Sequence, residues 1–263
     1  MYARYLSLRL LLPLAAGLFL ALPVPAVALD TVAPPAIVSP AASSLVASKF
    51  VITGRVGPSV TGITVTGATT ATFALLPTGP EGSAFTAEVT VPYGRTDIYV
   101  AATDGITWSA PASLTVWQLG EMTTRYPCVL VDKSDFMLYV VQLGRVIASY
   151  PVATGMFGTP TPNGTFFLGR PVHAPSSVWG PFRMRLYRKV WVRKTYIVHV
   201  RGHHVRRSRL VRKKVGTSYY IHGTNDPDSI GTRASHGCVR MFNSQLRLLR
   251  SITYKYQTTV IRP

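Results

Sequence analysis

Two histidines and one of the chain's two cysteines lie in a glycine-bracketed segment, residues 221–241. His222 is followed by Gly223, and Cys238 stands in the run Ser235-His236-Gly237-Cys238-Val239-Arg240. A thiol is only a few per cent thiolate near neutral pH unless an imidazole or a cation lowers its pKa. Glycines beside it let backbone amides approach a reacting carbonyl. The segment therefore predicts a cysteine nucleophile with a histidine as its base.

Two other interpretations of these residues stay open on the sequence alone. Cys128 and Cys238 could form a structural disulfide, a common bond in exported proteins. His222, His236 and Cys238 could instead ligate zinc, although no fourth ligand is apparent and Arg240 would repel a cation. Catalysis is favoured, because a position beside two histidines and an arginine is unusual for a purely structural cysteine.

The order IHG, a short gap and SHGCVRM resembles the signature of the L,D-transpeptidase catalytic domain, also called the YkuD domain. The likeness extends in the family's order over about residues 126–262. The segments that carry it are 129–132, 138–141, 150–155, 159–166 (TPTPNGTF) and 179–184 (WGPFRM). The resemblance implies a β-rich catalytic domain with its active site at the mouth of a groove.

By this resemblance Cys238 is the nucleophile, His222 is its general base, and the Gly223 carbonyl orients that base. The implied substrate is the peptide stem of peptidoglycan, and the implied product is a cross-link made through a thioester. Two alternatives stay open: an L,D-carboxypeptidase that uses water as the acceptor, and a non-catalytic wall-binding protein. No metal or organic cofactor is implied.

The resemblance also implies supporting roles within the motif. His236 lies near the thiol, and the amides of Gly237 and Cys238 form the oxyanion hole. Arg240 holds either a substrate carboxylate or a structural salt bridge. Ser235 is grouped with Arg240 as a substrate-binding candidate, although a turn role is favoured over a catalytic one.

The first 28 residues have the composition of a secretory signal peptide. Arg4 and Arg9 precede an apolar run at 10–22, and Ala26-Val27-Ala28 is a cleavage motif. An uncleaved anchor is the alternative, but the run is short for a spanning helix and is interrupted by Pro13. We expect an exported protein of the cell wall, periplasm or extracellular space, without a stable membrane span after cleavage.

Charge divides the rest of the chain into two parts. Residues 29–118 carry three Lys/Arg and five Asp/Glu, whereas residues 119–263 carry 23 and five. Eleven of these cations lie in residues 188–215, which look like a basic β-hairpin arm inserted into the family's pattern, with its turn near Arg201-Gly202-His203. We predict that this arm binds an anionic cell-wall polymer. Nucleic acid is not expected outside the cell, and a solvated loop or a lid over the site are the alternatives.

The predicted fold is mainly β, with two modules. Residues 29–48 are predicted as a linker, and residues 49–118 as a β-sandwich that resembles bacterial immunoglobulin-like modules. Its strands are expected at 50–56, 62–66, 85–91, 97–102 and 113–117. Residues 119–263 are predicted as the catalytic domain, with one helix at 243–252 and Asn243 as its N-cap. The strands expected there are 129–132, 137–141, 145–152, 165–168, 218–222 and 258–262.

Overall fold

The computed structural model describes residues 32–77, 82–120, 127–174 and 176–263, and the predicted signal peptide at 1–28 lies outside them. The described residues form strands and one α-helix, α1 (Asn243–Ile252), besides two short 3₁₀ turns. None of their helices is long and apolar enough to cross a membrane. The strands are β1 (Ala36–Ser39), β2 (Ser44–Leu45), β3 (Lys49–Val56), β4 (Gly62–Thr66), β5 (Thr70–Pro77), β6 (Ser83–Thr90), β7 (Gly94–Thr103), β8 (Ala112–Gln118), β9 (Cys128–Asp132), β10 (Met137–Gln142), β11 (Arg145–Gly155), β12 (Gly164–His173), β13 (Phe182–Val200), β14 (His203–His222), β15 (Arg233–Ser235), β16 (Val239–Met241) and β17 (Thr258–Arg262).

The N-terminal part consists of two layers of strands. One layer has the strand order β1-β3-β6-β5, and the other runs β2-β8-β7-β4. Apolar residues alternate along these strands, so one side of each layer faces the other. Ile52 and Phe85 from the first layer share a buried cluster with Ile98 and Val116 from the second. The likeness to immunoglobulin modules stays a prediction.

The linker prediction for 29–48 is wrong where β1 and β2 form. β1 pairs with β3 at the edge of the first layer, and β2 lies between β8 and β11. β5, another edge strand, was not predicted either. The sequence of β1 has no apolar alternation, and its side chains are mostly exposed. Backbone hydrogen bonds to a neighbour hold such strands in place.

The C-terminal part is a closed circuit of eight strands. Their order is β10-β9-β17-β12-β13-β14-β16-β11, and β11 pairs again with β10. The predicted catalytic strands are confirmed, while the short β15 and β16 were not predicted. Inward side chains such as Phe166, Met184 and Ile221 form one buried cluster, to which α1 adds Leu246 and Leu249. This cluster packs against the inner face of β13, β14 and β16, and their other side chains point outward.

The helix α1 has the predicted bounds but not the predicted cap. Phe242 is the N-cap residue and makes no side-chain cap hydrogen bond. Asn243 is the first helical residue, and its Oδ1 accepts a hydrogen bond from the Thr224 amide at 3.0 Å. The N-cap prediction is therefore wrong, because this side chain serves the loop after β14 instead of the helix.

Beyond the circuit, β13 and β14 continue as the predicted basic hairpin. Their pairing runs without a break from Arg188↔Val215 to Val200↔His203. The two-residue turn between them has positive φ at Arg201 (51°) and at Gly202 (82°), the geometry of a type I′ turn. No residue of 188–215 is buried. Only the base of the arm contacts the circuit, where Lys189 and Lys214 lie over the Phe167 ring, and most of the arm is exposed to solvent.

A polar anchor joins the sandwich to the strand circuit. Asp132 in β9 is only 2% exposed, and its carboxylate accepts hydrogen bonds from Arg262 Nε at 2.7 Å and from the Tyr93 hydroxyl. Burial opposes ionisation of Asp132, but bonds from Ser134, Tyr93 and Arg262 outweigh it and lower its pKa. Arg262 also donates to the Leu119 carbonyl. Residues 32–263 accordingly form one compact unit.

We expect Arg262→Met to lower the free energy of unfolding by about 3 kcal/mol, because it leaves the buried Asp132 carboxylate without its cation. Guanidinium denaturation of the full chain measures this change. Lys49→Met is the matched control, since Lys49 pairs with Glu88 at 2.6 Å between exposed side chains. It should cost less than about 1 kcal/mol. Equal losses in the two variants would contradict the anchor.

Candidate active site

The motif residues meet on the outer face of three adjacent strands. β14 lies between β13 and β16, and His222 pairs with Arg183 on one side and with Arg240 on the other. Residues two apart on a strand share a face, so Tyr220 joins this set. Cys238 directly precedes β16. Because Ile221 pairs with Val239, Cys238 lies opposite Tyr220. Diagonal neighbours on adjacent strands are roughly 7–8 Å apart at Cα, which an imidazole and a thiol can bridge.

The His222 ring is held in one tautomer. Its side chain is buried, with 4% exposure, and Nδ1 lies 2.5 Å from the Gly223 carbonyl oxygen. A carbonyl can only accept, so Nδ1 carries the proton and Nε2 keeps a free lone pair. The Trp179 ring packs against the imidazole with 4.6 Å between centroids. This arrangement is that of an oriented base.

The surroundings of His222 keep it neutral. Burial lowers its pKa to about 4, against the opposing effect of the Gly223 bond. The positive charges of Arg240 and Arg183 lower the pKa further. At neutral pH the imidazole is therefore unprotonated at Nε2 and can accept a proton.

Cys238 is a free, half-buried thiol. Burial raises its pKa, although a backbone hydrogen bond from Tyr220 and the charges of Arg240 and Arg183 act in the opposite direction. The sequence analysis expected an imidazole or a cation to lower the pKa of this thiol, but in the structure burial outweighs both arginines and the pKa is raised. Thiol and imidazole are both neutral at rest, so ionisation of the sulfur requires proton transfer to a base.

The turn before Cys238 engages Ser235 and Gly237. Ser235 is 1% exposed, and its hydroxyl donates to the Cys238 carbonyl at 2.6 Å. The same oxygen accepts a hydrogen bond from the Gly237 amide at 3.1 Å. These contacts support a turn role for Ser235, and they occupy the amide expected in the oxyanion hole. Gly237 has φ 104°, and a Cβ there would lie 2.7 Å from the Tyr219 ring.

Arg240 and His236 differ in their surroundings. The Nε of Arg240 is buried and has no hydrogen-bond partner. No ion pair involves Arg240 within the described ranges, so the structural salt bridge left open by the sequence is not found. A buried donor without a partner, beside the thiol, is suited to a ligand oxygen. His236 is exposed.

Three contributors to the site were not identified from the sequence. Arg183 stacks over the rings of Trp179 and Tyr220, each at 5.0 Å from the ring centroid. Trp179 and Tyr220 also contact each other edge to face, with centroids 5.5 Å apart. The alternation of residues along β13 and β14 could have placed Arg183 beside His222. However, the register shifts between Arg185 and Tyr187, so counting residue pairs back from the hairpin turn does not pair Arg183 with His222.

The alternatives of a disulfide and of zinc do not fit the described residues. Cys128 is buried in β9 and is not bonded to Cys238, so the disulfide alternative is wrong. In the part of the chain that the structure describes, no group of three or more His, Cys, Asp or Glu side chains could hold a metal ion.

Residues 106–261 match the family model of the L,D-transpeptidase catalytic domain, YkuD. The chain belongs to this family. The match begins within the predicted sandwich and includes β8, so the domain boundary expected at 119 does not coincide with it.

Individual relatives in this family are distant. The Bacillus subtilis protein YkuD is 31% identical over 41% of this chain and 49% of its own length. Its Bacillus licheniformis counterpart is 29% identical over 47% of this chain and 58% of its own. The chain thus spans about half the length of these curated relatives. The crystal structure of the L,D-transpeptidase from Xylanimonas cellulosilytica is 18% identical and covers 56% of this chain and 65% of that one, with a TM-score of 0.37.

We expect iodoacetamide to label Cys238 of the native protein much faster than Cys128, because Cys128 is 2% exposed within a sheet. Burial raises the pKa of Cys238, so its labelling rate should keep increasing above about pH 9.5, where an ordinary thiol of pKa about 8.5 is almost fully ionised. Peptide mapping after labelling at several pH values measures both rates. The unfolded chain is the control and should label both cysteines alike. Faster native labelling of Cys128 would contradict the assignment.

Proposed function

We propose that this chain is an exported, cysteine-dependent L,D-transpeptidase that cross-links peptidoglycan stem peptides through a thioester acyl-enzyme. One observation carries the proposal: Cys238 and His222 lie on the same sheet face, with the Gly223 carbonyl holding Nδ1 of the base. Family membership supplies the reaction class. Export rests on the signal-like residues 1–28.

In the first half-reaction, His222 Nε2 takes the proton of the Cys238 thiol as the sulfur attacks the carbonyl of the third stem residue. A C–S bond forms and the carbonyl oxygen becomes an oxyanion. Collapse of this intermediate breaks the C–N bond, and His222 returns the proton to the departing D-amino acid amine. The Cys238 amide is the proposed oxyanion donor, because the Gly237 amide already bonds Ser235.

In the second half-reaction, the amine of another stem attacks the thioester, and His222 removes its proton. The C–S bond breaks, a new amide forms, and the thiol regains a proton. The unpartnered Nε of Arg240 is proposed to hold a substrate oxygen during both steps. Water in place of the amine would give the L,D-carboxypeptidase reaction from the same acyl-enzyme.

The arm, residues 188–215, attaches the enzyme to an anionic cell-wall polymer in this proposal. It carries 11 Lys/Arg and no Asp or Glu, and none of its residues is buried. Exposed charges of one sign attract a polyanion over about a Debye length, and salt weakens the attraction.

A carbapenem should acylate Cys238, because its strained lactam carbonyl is an electrophile of the same kind as the stem amide. We expect His222→Ala to slow acylation by imipenem by about 10²–10⁴-fold, the usual contribution of a positioned base. In the wild type the rate should change little between about pH 5.5 and 8, since the pKa of His222 is about 4. Intact-mass spectrometry with time and pH measures these rates.

Cys238→Ala is the control for this experiment and should form no adduct. An adduct that persists in this variant would mean that another residue is the nucleophile. Wild-type acylation by His222→Ala, together with an inactive His236→Ala, would assign the base to His236 instead. The products of a stem peptide are then compared with and without an acceptor amine. A cross-linked product indicates the transpeptidase, and a hydrolysed stem indicates the carboxypeptidase.

Shortening the arm should weaken binding to intact sacculi by about tenfold or more at low ionic strength, while turnover of a small stem peptide stays near the wild-type rate. Removal of residues 191–200 and 203–212, an even number from each strand, joins the pair Val190↔Lys213 directly to the turn Arg201-Gly202. The register of the hairpin and its type I′ turn are thereby kept. Co-sedimentation at increasing salt measures the binding.

A full-length arm with its cations replaced by glutamine separates charge from length. It should lose sacculus binding as the shortened arm does. The replaced residues are those that the shortened arm lacks: Arg193, Lys194, Arg206, Arg207, Arg209 and Arg212. Loss of small-peptide turnover with unchanged sacculus binding would contradict the tether and support a lid.

A further inference from the structure

A second concave site lies on the same sheet face as Cys238. It is a half-open pocket of about 280 Å³ between β12, β13, β14 and the segment after α1. No function proposed above uses this pocket as a whole. Cations and tyrosines dominate its lining: Arg170, Arg183, Arg185, Lys255, Tyr220 and Tyr256.

Strand register and aromatic rings hold the pocket's cations in place. Arg185 pairs with Tyr220 across β13 and β14, and its Nε donates to the Tyr220 hydroxyl at 2.8 Å. Arg183 stacks over the Tyr220 ring from the next position on the same face. Lys255 Nζ lies 4.6 Å from the ring centroid of Tyr256. These cations are therefore placed by neutral groups, which leaves their charge uncompensated.

The charge of the pocket selects its ligand. No Asp or Glu lines it, and none of its four cations has an ion pair with a described acidic residue. Several positive groups in a concave site raise the local concentration of anions. Guanidinium groups bind planar carboxylates through paired hydrogen bonds. An anionic oxygen group, with tyrosine rings around it, fits this lining.

The distance between Cys238 and the pocket indicates which molecule carries the anionic group. Neighbouring strands are about 4.8 Å apart. Arg185 is two strands from Cys238, and Arg170 is three, which gives roughly 10 and 14 Å. An extended peptide spans about 3.3–3.6 Å per residue. A peptide whose carbonyl lies at Cys238 therefore reaches the pocket within about three or four residues.

We infer that this pocket binds a carboxylate of the peptide substrate, a few residues away from the carbonyl that Cys238 attacks. The inference rests on the proposed function, because it takes the substrate to be a carboxylate-bearing peptide. It adds a specificity site: the enzyme distinguishes peptides with free carboxylates from peptides whose carboxylates are amidated.

Equilibrium binding tests the inference without turnover. Full-length Cys238→Ala protein is titrated by calorimetry with a synthetic stem peptide whose carboxylates are all free, and with the same peptide fully amidated. We expect the free form to bind at least about tenfold more tightly, as charge-assisted hydrogen bonds imply. Arg170→Gln with Lys255→Gln in this background should remove most of that preference and leave binding of the amidated peptide unchanged.

Arg55→Gln with Arg247→Gln is the matched control, because it removes the same charge from two exposed positions outside the pocket. It should keep the preference. Equal affinity for the two peptides in the parent protein would overturn the inference, and so would an equal loss in the control pair. Acylation by imipenem is measured separately, so a failure of the pocket is distinguishable from a failure of the proposed chemistry.

Discussion

The parallel pairing of β14 with β16 is the constraint on which the rest of the site depends. Ile221↔Val239 and His222↔Arg240 fix which residues face the core and which face outward. A slip of one residue would turn the histidine into the apolar cluster and bring Ile221 to the site. The buried side chains of Ile221, Val239 and Met241 make that slip costly, so hydrophobic packing on one face positions polar chemistry on the other.

Burial on the outer face decides the protonation states. The same exclusion of water that lowers the pKa of His222 raises that of Cys238, although Arg183 and Arg240 favour a thiolate. At rest, the Cys238 thiol and the His222 imidazole are therefore both neutral and do not form an ion pair, and the imidazole is held in one tautomer. In the proposed reaction, charge then develops during attack, where the Cys238 amide and the arginines can stabilise it.

Two long strands serve four purposes at once. β13 and β14 contribute to the core, carry Arg183 and His222 at the site, line the cationic pocket and extend outward as the basic arm. One pair of strands therefore links the proposed attachment point to the strands beside Cys238. On the other side of the circuit, β2 and the Asp132 anchor join the sandwich to the same sheet.

The sequence by itself predicted the family, the hairpin at 188–215 and the helix at 243–252, because these depend on a local motif, residue types, charge and local periodicity. It did not predict the short strands β1 and β2, the edge strand β5, or the Ser235 bond that occupies the Gly237 amide. Nor did it place Arg183, Tyr220 and the pocket beside Cys238. Those contacts join residues distant along the chain, and only the register of paired strands, with its irregularity after Arg185, brings them together.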